Sequence, residues 1–274
     1  MANLLSANLL RMRKSVLFWG LMLTMFALGA LMALNYYQMD QVEDFSLDGA
    51  FFTYPILACI TTVVFIPLFF GREYSDGTIR NKVTAGYPRL FIYAANLLTG
   101  MVASMLFCAA YIATVIAVGV PLVGLFELDV KLAVLMILSS LVTMAAFCAL
   151  FTFISMSCSR KTLSAVICIL GVFILLIASI YMRSRLEAPE YYTDYSLNMN
   201  GEPVSGDLVK NPQYINGIRR AAYEMLYNLL PTSQVVQYAS QQTQNLLQMP
   251  LYSLATIILF TAIGLFLFQR KDLK

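Results

Sequence analysis

Histidine is absent from the 274 residues of this chain. Chemistry that depends on imidazole as a general base, a proton shuttle or a metal ligand is therefore excluded. Charge is scarce as well: 12% of the residues are Asp, Glu, Lys or Arg, where about a quarter is usual, and a soluble domain of this size needs far more charged surface. The cysteines number five, at 59, 108, 148, 158 and 168. All lie in or beside apolar stretches, which excludes an extracytoplasmic domain stapled by disulfides and leaves them as small apolar residues. No Gly-x-x-x-x-Gly-Lys-Ser/Thr stretch occurs, so the chain has no phosphate cradle of its own. What abounds is apolar: 59% of residues, with a mean hydropathy of +0.72. A soluble enzyme, a disordered chain and a nucleic-acid reader are ruled out. The expectation is an all-α integral membrane protein.

A hydrocarbon core of about 30 Å needs about 20 apolar residues in helix. Uncharged runs at Val16–Leu34, Ala50–Phe70, Leu90–Val120, Leu132–Ser157, Thr162–Met182 and Leu251–Phe268 place six spans at about 16–36, 50–71, 90–120, 132–157, 162–182 and 251–268. The third is longer than one crossing needs and predicts tilt or an overhang. Pro55 and Pro67 fall inside the second and predict a packing kink. Arg11, Arg13 and Lys14 before the first run, with Ala27-Leu28-Gly29 within it, loosely imitate a signal peptide. The run is too long for a signal core, and five more follow, so it reads as a retained span.

Orientation follows from Lys and Arg in the short connections. Arg11, Arg13 and Lys14 precede the first span, Arg72, Arg80, Lys82 and Arg89 lie between the second and third, and Arg160 and Lys161 between the fourth and fifth. Arg270, Lys271 and Lys274 follow the sixth, whereas the first loop on the other side has none and the second only Lys131. Both termini are expected in the cytoplasm. The first outer loop is acidic (Asp40, Glu43, Asp44, Asp48), and the outer loop 183–250 is too long for a plain connection. Its first part, with Pro189, Gly201, Pro203 and Gly206, predicts irregular or hairpin structure. Ile215, Ile218, Ala222, Met225 and Leu229 then form an amphipathic stripe, Pro231 breaks it, and Val235 to Leu247 resumes it. Two short helices near the outer membrane face are expected. At the N-terminus, Leu5, Leu9, Met12 and Val16 share one face opposite Asn8, Arg11 and Ser15, predicting an amphipathic interface helix over 1–15 on the cytoplasmic leaflet.

The most informative stretch is Gly71 to Arg89. Asp76 or Thr78 suits the cap of a short helix and Gly86 its left-handed end, with Pro88 just beyond. A loop that only fixed topology would need its cations, but not Glu73 or Asp76-Gly77-Thr78. Four features in order are the N-terminal interface helix, the Glu-x-x-x-Gly-Thr of Glu73 to Thr78 with Pro88-Arg89 downstream, the outer helices around Leu230-Pro231-Thr232, and the ending from Gly264 to Asp272. Along nearly its whole length the chain thereby resembles the permease subunits of type-2 ABC exporters. The resemblance implies a half-transporter in the bacterial cytoplasmic membrane, paired with an identical or sibling permease. Its segment 73–86 would be a coupling helix docking on a separate cytoplasmic ATPase subunit. Arg72, Glu73, Asp76, Gly77, Thr78, Ile79, Arg80 and Lys82 would make that contact, Arg160 and Lys161 a secondary one, and Leu5, Leu9, Arg11 and Met12 the lipid-facing interface helix. ATP and magnesium would reside on the partner; this chain would hold no cofactor and catalyse nothing itself.

An ion-coupled carrier places ionisable groups in its spans, and these runs contain none; Asn96 is the most polar interior residue and suits a helix–helix hydrogen bond. An external energy source fits better. Spans rich in Met and Phe suit an amphipathic cargo, so a hydrophobic or amphipathic peptide, as in antimicrobial-peptide export or immunity, is favoured over drugs, lipids or sodium. A non-transporting scaffold or sensor is the rival of another class. Sorted by this topology, the inner parts hold 12 basic and 3 acidic residues and the outer parts 6 and 12, so the net charge of +3 conceals two opposed faces.

Overall fold

A computed structural model describes residues 1–40, 46–197, 203–241 and 246–271. Glu43, Asp44, Gly201, Asp272, Lys274 and residues 242–245 of the expected second outer helix lie outside the described residues.

The chain begins with α1 (Ala2–Arg13) and α2 (Val16–Asp40), joined at a turn where Ser15 N donates to the Met12 carbonyl at 3.0 Å. A short α3 (Leu47–Phe51) leads into α4 (Tyr54–Ser75), and α5 (Thr78–Thr84) follows. Pro55 therefore lies in the first turn of α4, where its missing N–H is harmless, and Pro67 alone is inside the helix. The long third run becomes α6 (Arg89–Thr114), a π-helical turn (Val115–Gly119) and α7 (Val120–Val123). Pro121 accounts for the irregularity: it withholds a donor from the carbonyl four residues back and crowds it. Next come α8 (Val130–Ser157) and α9 (Lys161–Glu187). An antiparallel hairpin of β1 (Tyr191–Leu197) and β2 (Pro203–Lys210) pairs Tyr191 with Lys210 and Leu197 with Pro203. The chain then forms α10 (Gly217–Leu229), α11 (Pro231–Ala239) and α12 (Met249–Arg270).

Among the described residues, six helical stretches are long and apolar enough to cross a membrane: Val16–Met39, Leu47–Ser75, Arg89–Val123, Val130–Ser157, Lys161–Glu187 and Met249–Arg270. The architecture is that of a multi-pass membrane protein. The second stretch is the central one, 72% buried, while the first and last are 22% buried and turn most of their surface outward. Aromatic rings fill the centre: Phe65 stacks on Phe69 at 4.9 Å and meets Phe107 edge-on at 5.7 Å. Such packing, with small residues where helices approach, holds apolar helices together where water supplies no driving force.

Two expectations about the helices outside the spans need correction. In α1 the buried residues are Leu4, Asn8 and Met12, with Ser15 next below, and Val16 is 86% exposed. The helix thus turns its polar stripe of Asn8, Arg11 and Ser15 toward the bundle, because partners for those groups wait there. At the opposite end α10 does lie on the surface, with Ile218 91% exposed. α11 does not. Every residue from Pro231 to Tyr238 is buried, and the helix ends at Ala239, well short of Leu247. Pro231 starts this helix instead of merely breaking the one before it.

Polar bonding explains its depth. The Gln234 carbonyl oxygen accepts from Thr143 of α8 at 2.8 Å and from Ser253 of α12 at 2.6 Å, while its amide donates to the carbonyls of Asn228 at 2.8 Å and Met249 at 3.3 Å. Tyr238 bonds Ser139 at 2.6 Å, and Ser233 donates to Ser179 of α9 at 2.8 Å. Irregular or polar segments are tolerated at such depth only where protein satisfies them.

Candidate functional site

The end of the bundle that carries both described chain ends concentrates the basic residues. α4 closes there with Gly71, Arg72 and Glu73, and Gly77 at φ +66° turns the chain into α5. This left-handed backbone is glycine's role; neither Asp76 nor Thr78 caps α5, and the Thr78 hydroxyl instead donates to the Glu73 carbonyl at 3.1 Å. Gly86, at φ +85°, closes the helix as expected. Its N–H bonds the Val83 carbonyl at 3.0 Å, and the Tyr87 N–H reaches the Lys82 carbonyl at 3.2 Å, which is the Schellman pattern.

Glu73 is the centre of the site. It has no exposed surface, a correction to its expected place on a docking surface. Its Oε1 meets Arg11 Nη1 of α1 at 2.6 Å and Lys82 Nζ of α5 at 2.7 Å, and its Oε2 accepts from Asn96 Nδ2 of α6 at 3.1 Å. Asn96 in turn accepts from Asn8 Nδ2 at 2.7 Å, and Lys82 also donates to Asn8 Oδ1 at 3.2 Å. One carboxylate therefore ties four helices. A buried charge is retained only with such compensation, and removing one partner of a buried pair typically costs about 3–5 kcal/mol.

The remaining expected contact residues divide. Ile79 is buried and Lys82 is engaged with Glu73, whereas Arg72, Asp76 and Arg80 face outward together with Asn81 and Thr84. The expected secondary contact lies beside them: a cavity of about 700 Å³ is lined by Ser75, Ser159, Arg160, Lys161, Thr162, Leu163 and Val166. The turn before α9 packs tightly on α4 here, since a side-chain carbon added at Gly71 would come within 2.8 Å of Lys161. Leu5 and Leu9 are half-buried, and Arg11 lays its guanidinium on the Phe69 ring at 4.2 Å.

Two distant motifs also meet at this end. Arg89 Nη1 donates to the carbonyls of Phe268 at 2.9 Å, Gln269 at 2.8 Å and Lys271 at 2.7 Å, closing the C-terminus of α12. Lys271 does the same for α8 through the carbonyls of Met156 at 3.0 Å and Ser157 at 3.1 Å, with its ammonium over the Tyr74 ring. Burial lowers the Lys271 amine from the ordinary 10.5 to about 8, opposed by the neighbouring Cys158.

Sequence reasoning missed Asn8 as a partner of Asn96 and Lys82, although Asn8, Arg11 and Ser15 at helical spacing were a visible polar stripe. No cluster of three metal-ligating side chains occurs among the described residues. Comparison with protein-family models and with curated proteins finds no match for the chain.

Proposed function

We propose that this chain is the membrane-spanning subunit of an ATP-driven exporter of the type-2 ABC kind, with α5 as the coupling helix on which a separate cytoplasmic ATPase docks. The observation that carries the reading is the Glu73 cluster. It fastens α5 through Lys82 to α4, and through Asn96 and Asn8 to α6 and α1, while Arg80, Asn81 and Thr84 stay outside. A short, capped helix clamped to three others transmits a push from a partner into the bundle instead of absorbing it. Its outward residues and the Arg160–Lys161 turn lie at the same end of the bundle, where a cytoplasmic partner would dock. On this reading the end with both termini is cytoplasmic, in keeping with its excess of Lys and Arg. The membrane is the bacterial plasma membrane, α1 is the interface helix, and a second permease completes the pore. The cargo is a hydrophobic or amphipathic peptide, for which the Met- and Phe-rich spans are the support.

Coexpression with the ATPase encoded beside it tests the proposal. A complex should co-purify whose ATP hydrolysis needs this chain. Arg80→Glu with Arg160→Glu should weaken the complex by about tenfold or more, the equivalent of ~1.4 kcal/mol. Gly77→Pro, which cannot adopt a positive φ, should uncouple hydrolysis. Assembly and hydrolysis intact in both variants would sink the coupling assignment.

A further inference from the structure

A second pocket opens at this end between the close of α1, the turn that follows it, the last turns of α4 and the start of α5. It encloses about 250 Å³, and its walls bring three cations, Arg11, Lys14 and Arg72, against one carboxylate, Asp76. The Ser15 and Thr78 hydroxyls and the Phe69 ring complete the lining. Arg11 is engaged through Nη1 with Glu73 and through its face with Phe69, but Nε and Nη2 have no hydrogen-bond partner. Those two nitrogens share one edge of the planar group, the two-pronged fork that fits a pair of oxyanion oxygens. Ser15 is 9% exposed, and its hydroxyl too has no partner. Leaving a buried polar group unpaired costs about 1–3 kcal/mol. Arg11 and Ser15, both in the lining of this cationic cavity, thus carry donors that the protein itself leaves unpaired, and the three cations of its wall against one carboxylate favour an oxyanion as occupant.

The location narrows the choice. Ser15 immediately precedes the first apolar span and Arg72 closes the second, so the pocket lies where hydrocarbon gives way to headgroups. We infer that it binds the phosphate of an anionic phospholipid. Lys14 and Arg72 meet the phosphate from the exposed rim, and Arg11 supplies the third cation of the wall beside Ser15. The site is a discrete one, more than a diffuse attraction of a basic helix to a leaflet, and it does not rest on the transport reading.

The test uses the full chain in discs of phosphatidylcholine doped with phosphatidylglycerol, with retained lipid counted by native mass spectrometry. The wild-type chain should keep one phosphatidylglycerol. Lys14→Gln with Arg72→Gln, both exposed and outside the Glu73 cluster, should weaken retention by roughly fivefold for each charge removed. Ser15→Ala should weaken it less. Arg13→Gln with Arg80→Gln removes the same charge from neighbouring exposed positions outside the pocket and should lower retention several-fold less than the pocket pair. An equal fall in that control, or none in the pocket variant, would overturn the site. Displacement of the lipid by inorganic phosphate at comparable concentration would make free phosphate the ligand and overturn the lipid assignment; persistence would support it.

Discussion

Glu73 faces two cations, and its loss leaves Arg11 and Lys82 repelling each other beside an Asn96 amide deprived of its acceptor. Arg11 and Lys82 keep 36% and 17% of their side-chain surface, so water relieves part of that cost. Glu73→Gln is expected to destabilise the chain by about 2–3 kcal/mol and Glu73→Ala by more. Thermal unfolding in detergent, followed by the fluorescence of the single tryptophan, Trp19, reads this directly; an unchanged melt for Glu73→Gln would mean the carboxylate anchors nothing. The motif that singled out Glu73 was legible, but its role was not. A Glu at the end of a span looks like surface until its partners, which lie on three other helices, are placed around it. Lys271 gives a second residue-scale expectation. With its amine lowered to about 8 from 10.5, the folded chain releases a proton that the unfolded chain still holds. Stability should therefore rise as pH climbs from about 8 to 10.5 and be flat below. Acylation of Lys271, tracked by mass spectrometry against pH, should be half-maximal near 8; a midpoint near 10.5 would contradict the burial.

The spans were the easiest elements to read, since length and hydropathy alone set them. Gly86 was legible because few residues but glycine hold a positive φ without strain. What misled was polarity outside the spans. The segment of Thr232, Ser233, Gln234 and Gln237 was expected near the outer membrane face, yet each of these residues finds a partner on another part of the bundle or its own loop. The partners of the first three are small hydroxyls inside otherwise apolar helices, and that of Gln237 is the Tyr227 carbonyl; neither kind carries a signal of its own. The same ambiguity inverted α1, where Asn8 looked solvated and is instead bonded to a residue 88 positions away. Gln234 uses both lone pairs and both amide protons, so Gln234→Leu should cost about 2–4 kcal/mol despite similar size. It should also expose residues 217–239 to added protease. A melt and cleavage pattern like the wild type would show that apolar contacts alone seat α11.

At the scale of the whole molecule, charge and depth are arranged around one axis. Basic residues gather where α1, α5 and the two interhelical turns meet. Asp48, from the acidic loop at the far end, is buried and accepts the N–H groups of Glu127 at 2.9 Å and Leu128 at 3.2 Å, so it fastens that end instead of decorating it. The sum of +3 is the residue of these two local economies. The depth of α11 bears further on how the molecule is made. Gln234 bonds Thr143, synthesised well before it, and Ser253, synthesised after it. Until α12 is in place, half of the Gln234 acceptor pairing does not exist. The full polar seating of α11 therefore depends on a helix that follows it in the chain. The contacts of Arg89 and Lys271 likewise join α12 and its end to segments made much earlier, so α12 completes the polar pairing at both ends of the bundle.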